Sequence, residues 1–120
     1  MTQPRPDASP PFGLRQEAAG NWTVLQVTGE IDAATAPLLR EGLLETIASG
    51  GRRLVLDLSA VAFMDSTALG VLVGTHKRLR TLDGSLRLVA NTPASTRILT
   101  LTGLDHVLDV FPTLSAALES

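Results

Sequence analysis

The chain contains no cysteine. Disulfides, thiol nucleophiles and thiolate zinc sites are therefore excluded, and a reducing compartment is allowed. It also lacks a charge surplus. Ten basic and 12 acidic residues give a formal net charge of −2, which offers no electrostatic footprint for nucleic acid or an anionic membrane surface. No apolar run approaches the roughly 20 residues a membrane span needs, and the start, Met1-Thr2-Gln3-Pro4-Arg5-Pro6, has no apolar signal-peptide core. These absences predict a soluble, cytoplasmic protein without a membrane or nucleic-acid partner. Its 120 residues suffice for one domain with its own core and are too few for two ordinary ones.

The usual catalytic arrangements are missing as well. There is no His-x-x-x-His pair, no calcium loop and no Gly-x-x-x-x-Gly-Lys phosphate loop, so neither a metal nor a cofactor is expected. A serine hydrolase would need a base within reach of its nucleophile. His76 lies ten residues beyond Ser66 along one predicted helix, roughly 15 Å away at the usual rise. His106 belongs to an unrelated stretch, and no Gly-x-Ser-x-Gly elbow exists. Both histidines read as surface or boundary residues. Asp57 near the end of an apolar run suggests a phospho-accepting receiver, but receivers resemble one another in an acidic pair after their first strand and a lysine at a later strand end, whereas the single lysine here, Lys77, is mid-helix. Asp57 is expected to tie down the loop after it, and no enzyme is expected.

What is present is a regular alternation of strand and helix signals. Residues 1–11 hold Pro4, Pro6, Pro10 and Pro11, a composition that predicts a disordered tail ahead of a domain over 12–120. Phe12 to Glu17 and Trp22 to Thr28 flank the Gly20-Asn21 turn signal and predict a hairpin. Thr35 is the expected cap of a helix that turns Leu39, Leu43, Leu44 and Ile47 inward and stops at Gly50-Gly51. Leu54-Val55-Leu56-Asp57-Leu58 has the length and apolarity of a strand covered on both faces. From about Ser66, the spacing of Ala68, Leu72, Thr75, Leu79 and Leu82, widened by Leu69, Val71 and Val73, predicts a helix facing a sheet. Gly70 and Gly74 on that helix are expected to permit close approach to the sheet. Asp83-Gly84 turns the chain into a strand over 85–90. Thr92-Pro93 then opens a short helix with Ile98 and Leu101 inward, closed near Gly103, and a last strand candidate spans 107–111. Pro112 precedes a C-terminal helix through Leu114 and Leu118. The order implies an α/β fold: a mixed sheet of four to five strands, with a leading hairpin and parallel crossovers, layered against about four helices.

The junction of the central strand with the next helix carries the functional interest. Asp65, Ser66 and Thr67 stand where the first helical N–H groups lack intrahelical partners and the macrodipole presents its positive end. From residue types alone this is either a capped helix and nothing more, or a place where a phosphate on a hydroxyl would meet backbone donors and a favourable dipole.

Gly29-Glu30-Ile31-Asp32, Leu54-Val55-Leu56-Asp57-Leu58, Phe63-Met64-Asp65-Ser66-Thr67-Ala68-Leu69-Gly70, Asp83-Gly84-Ser85-Leu86-Arg87-Leu88-Val89 and Thr102-Gly103-Leu104 follow one another at compatible spacing. Together they resemble the STAS-domain anti-sigma factor antagonists over about residues 12–118. The resemblance implies a partner switch. The unmodified protein binds an anti-sigma factor that is also a serine kinase and so frees a sigma factor. Phosphorylation ends the complex, and a PP2C-type phosphatase resets it. Ser66 matches the phosphorylated position, with Thr67, its neighbour, second to it. Asp32, Met64, Asp65, Ser66, Thr67 and Leu69 are the expected partner-binding surface of a protein that is a monomer on its own. Ala68 replaces a glycine frequent in the family, which favours the helix and restricts the backbone beside the acceptor. An alternative reading keeps the STAS fold as a scaffold or small-ligand module in which Ser66 is only a cap.

Overall fold

The structure is a computed structural model and describes residues 11–120. The predicted Pro-rich tail over residues 1–11 lies, Pro11 apart, outside the described residues. Gly13–Ala19 (β1) and Trp22–Ile31 (β2) form the expected hairpin, with Gly13 opposite Thr28 and Ala19 opposite Trp22. Gly20 turns the chain at φ 61°, a left-handed backbone that glycine adopts without steric cost. Ala36–Ala48 (α1), Arg53–Met64 (β3), Ser66–Thr81 (α2), Ser85–Val89 (β4), Pro93–Leu101 (α3), Asp109–Phe111 (β5) and Leu114–Glu119 (α4) follow, with a short 3-10 turn at Leu104–His106. The sheet order is β1-β2-β3-β4-β5, with β1 antiparallel to β2 and the other neighbours parallel. This is the mixed α/β layering that the sequence predicts.

One face of the sheet carries Leu25, Val27, Leu54, Leu56, Leu58, Leu86 and Leu88 against Leu39 and Leu43 of α1, Leu72 and Leu79 of α2 and Leu99 of α3. Burying each such side chain contributes about 1.5–3 kcal/mol, so this face holds most of the apolar stabilisation. The opposite face is thinner: Trp22, Val24, Val55 and Val89 meet Ala117, Leu114 and Leu118 of α4. The Arg53 and Arg87 guanidiniums extend that cover, 4.5 and 4.2 Å from the centre of the Trp22 ring.

β3 outlasts its apolar run. A strand over 54–58 is expected, yet the ladder with β2 continues to Met64. Its register shifts twice, between the pairs Gln26–Asp57 and Thr28–Ala60 and again between Gly29–Val61 and Glu30–Phe63. Each shift places an extra β3 residue against β2. The two-residue alternation is lost, with Ser59, Ala60, Ala62 and Phe63 exposed while Val61 and Met64 are buried. Asp57 sits inside this strand rather than before a loop, and its Oδ1 accepts from the Ser59 N–H at 2.9 Å and the Ser59 hydroxyl at 2.6 Å.

Several facing expectations are corrected. Leu44 is 42% exposed and Leu101 77% exposed. On α1 the inward stripe is Ala36, Leu39, Leu43, Thr46 and Ile47, which rotates Leu44 a full residue away from the sheet; on α3 it is Ser95 and Leu99. The last strand starts at Asp109, and exposed Val107 belongs to the preceding turn, its N–H bonded to the Leu104 carbonyl. Gly70 and Gly74 do not approach the sheet, since a Cβ built on either would meet no atom within 4 Å.

Candidate functional site

β2 and β3 end side by side. Ile31 is opposite Met64, and the Asp65 N–H donates to the Ile31 carbonyl at 3.2 Å. Neighbouring strands run about 4.8 Å apart, so the turns beginning at Asp32 and Asp65 emerge together at one end of the sheet. Each leads into a helix, and each uses its aspartate to order the first free amides.

Asp65 is the N-cap of α2 in extended conformation, and its Oδ1 accepts from the Thr67 N–H at 2.9 Å and from the Thr67 hydroxyl. Ser66, the first residue of the helix, is exposed, and its hydroxyl forms no hydrogen bond among the described residues. The two neighbouring hydroxyls thus differ: one is held by the cap, the other is presented to solvent. Asp65→Ala is expected to cost about 1 kcal/mol of stability, measured by urea denaturation, through loss of this cap. Ala68, the residue that departs from the family glycine, is fully buried in the main core, so its methyl group packs rather than obstructing the loop.

The Asp32 turn is tighter. Asp32 Oδ1 accepts from the Ala34 N–H at 2.9 Å, the Thr35 N–H at 3.0 Å and, more weakly, the Thr35 hydroxyl at 3.2 Å. The Thr35 side chain does not cap α1 as expected. Its hydroxyl points back, donating to the Glu30 carbonyl at 2.7 Å and accepting from the Asp32 N–H at 2.9 Å. The Thr35 amide foremost, with the Ala34 amide and the Thr35 hydroxyl, holds the Asp32 carboxyl below the ordinary carboxylate range, against an opposing effect of burial. A lowered folded-state value stabilises the fold above the unfolded value, about 3.9, and the contribution is lost as pH falls through the folded value. Asp32→Asn is therefore expected to lower Tm at pH 7, with the gap to the unsubstituted protein closing in acid. Thermal unfolding followed from pH 7 to pH 3 checks this.

The structure brings Asp32, Asp65, Ser66 and Thr67 to one surface. It does not bring Met64 and Leu69 there: they are 4% and 7% exposed and belong to the main core. The register shifts in β3 turn Met64 inward, and Leu69 lies on the buried stripe of α2. Phe63, 46% exposed, takes the outward position beside the loop. Sequence reasoning passed over it because apolar content, and not exposure, is what periodicity detects. Next to the loop, α1 and α2 also bound an open groove of about 580 Å³ that reaches Thr67.

This arrangement defines a small α/β module with an exposed serine hydroxyl at a helix start. The STAS domain family model matches residues 15–117, and the chain belongs to the STAS family of anti-sigma factor antagonists. It is 41% identical over 86 residues to the anti-sigma-B factor antagonist of Bacillus subtilis, covering 72% of this chain and 78% of that protein. It is 38% identical over 95 residues to the anti-sigma-F factor antagonist RsfB of Mycobacterium tuberculosis, covering 79% and 77%. The crystal structure of an anti-sigma factor antagonist from Mycobacterium paratuberculosis superimposes with a TM-score of 0.86 at 37% identity, covering 92% of this chain and 96% of that one. Among the described residues no helix is long and apolar enough to cross a membrane.

Proposed function

We propose that this protein is a cytoplasmic anti-sigma factor antagonist switched by phosphorylation of Ser66. Unmodified, it binds an anti-sigma factor that is also a serine kinase and so releases the sigma factor. Phosphorylated, it lets go, and a PP2C-type phosphatase restores it. It acts by binding and performs no chemistry of its own.

The observation that carries this reading is the contrast at the α2 start. The Ser66 hydroxyl is exposed and unengaged, whereas the Thr67 hydroxyl is bonded to Asp65. Both side chains are exposed, but a kinase reaches the first hydroxyl without breaking a hydrogen bond and the second only by breaking its bond to Asp65. The names of the similar proteins support the partner class. Phosphorylation adds about −1.5 to −2 charge between Asp65 and the Asp32 turn, and an interface fitted to a neutral hydroxyl cannot desolvate it cheaply. The helix dipole tolerates the charge, so the fold stays intact while the contact fails.

The test is to incubate the protein with its anti-sigma kinase and ATP, map the product by mass spectrometry and measure binding before and after. Phosphate at Ser66 with loss of binding supports the switch. Phosphate confined elsewhere, or Ser66→Ala behaving like the unsubstituted protein through cycles of kinase and phosphatase, would favour the scaffold or small-ligand module instead.

A further inference from the structure

The groove between α1 and α2 is lined by Arg40, Leu44, Gly70, Val71, Gly74 and Arg78, with Thr67 at the end nearest the switch loop. We infer that it is the docking site for an acidic helix of the same anti-sigma factor that reads Ser66, an inference that rests on the function proposed above.

Charge complementarity names the occupant. Two guanidiniums and no carboxylate line the groove, and neither Arg40 nor Arg78 has a salt-bridge partner among the described residues. An incoming acidic side chain would find donors that no described residue occupies. Glu41 and Glu45 of the same helix as Arg40 do not line the groove; they line an adjoining surface that shares Arg40 and Leu44 with it. A second copy of this chain fits less well, because a two-fold contact through this groove would bring the same guanidiniums toward one another.

The floor of the groove explains why the occupant is a helix. Gly70 and Gly74 are one turn apart in the interior of α2, where glycine is the poorest helix former after proline. A Cβ at either position would meet no atom of another described segment within 4 Å. The helix therefore forgoes stability that two alanines would supply without any internal clash. A helical ridge approaching from outside gains from that shallow floor, since missing side chains let backbones come close. Leu44, 42% exposed on the wall, supplies apolar area for it.

The experiment measures binding of the purified anti-sigma kinase of the source organism by calorimetry, at two salt concentrations, to five proteins. These are the unsubstituted chain, Ser66→Asp, the double variant Arg40→Glu with Arg78→Glu, Gly74→Ala and Gly74→Leu. The double charge reversal is expected to raise Kd by about a hundredfold and to flatten its salt dependence. Gly74→Leu is expected to raise Kd about tenfold by filling the floor, and Gly74→Ala to raise it a few-fold while its Tm goes up. Loss of affinity together with a gain in Tm is a signature that damage to the fold cannot produce. If the groove variants bind within twofold of the unsubstituted chain while Ser66→Asp fails to bind, the groove assignment is overturned and the switch stands. If the unsubstituted chain does not bind, both fall. A concentration-dependent dimer that the variants dissolve at unchanged Kd assigns the groove to a second copy and overturns the inference.

Discussion

Ser66→Asp is expected to weaken binding of the anti-sigma factor by about a hundredfold, and phosphorylation of Ser66 by about a thousandfold, with the fold unaffected in both cases. The difference follows from charge. Aspartate adds one unit and phosphate about −1.5 to −2, and leaving the larger charge desolvated without a partner costs about 4 kcal/mol, which is close to three decades in affinity. Stability should hold because Ser66 is exposed and unbonded and because an anion at the start of α2 meets the positive end of the helix. Ser66→Ala removes only a hydroxyl and should bind within a few-fold of the unsubstituted protein. Calorimetric titration against the anti-sigma kinase, with Tm recorded for each variant, checks both halves. A Kd for Ser66→Asp within threefold of the unsubstituted value would contradict the mechanism, and so would a loss of binding that tracks a fall in Tm.

The sequence made some of this legible and hid the rest for identifiable reasons. The hairpin was readable because Gly20 provides a left-handed turn and the strand after it is rich in β-branched residues. The buried stripe of α2 was readable because Ala68, Leu72, Thr75 and Leu79 obey helical spacing. That this helix start is capped was readable from residue type, but that Asp65 and not Ser66 supplies the cap was not. What escaped was whatever depends on register. The two shifts between β2 and β3 decide that Phe63 faces out and Met64 faces in, and no local pattern announces a bulge in a stretch such as Ser59-Ala60-Val61-Ala62. Leu43 and Leu44 are chemically alike, and only the orientation of α1 over the sheet buries one and exposes the other. The preference for Ser66 over Thr67 came from the family resemblance and not from residue chemistry. Both are hydroxyls at a helix start, and the difference in their hydrogen bonding, Thr67 to the Asp65 carboxylate and Ser66 to no described residue, has no local signal in the sequence. The glycine pair was noticed but aimed at the wrong neighbour, because spacing reports that two residues share a face without saying which way the face looks.

Met64→Ala is expected to cost about 2–4 kcal/mol of stability while leaving the affinity of the folded protein within a few-fold of the unsubstituted value. Met64 is 4% exposed, and its side chain belongs to the cluster formed by Ile31, Leu58, Val61 and Leu69 among others. Truncation removes buried methylene and sulfur contacts and leaves a cavity beneath the loop. Against a total stability of about 5–15 kcal/mol this is a large loss, visible as a lower denaturation midpoint at unchanged slope. The loop above is held by the Asp65 cap and by the Asp65 N–H to the Ile31 carbonyl, neither of which uses the methionine side chain. Ser66 should therefore stay in place in the molecules that remain folded, and titration well below Tm should detect little change. A Met64→Ala protein that kept its stability and lost binding thirtyfold would mean that this side chain turns outward to meet the partner. In that event the register of β3 against β2, and with it the end of the sheet that Asp32 and Ser66 share, would differ from the one described.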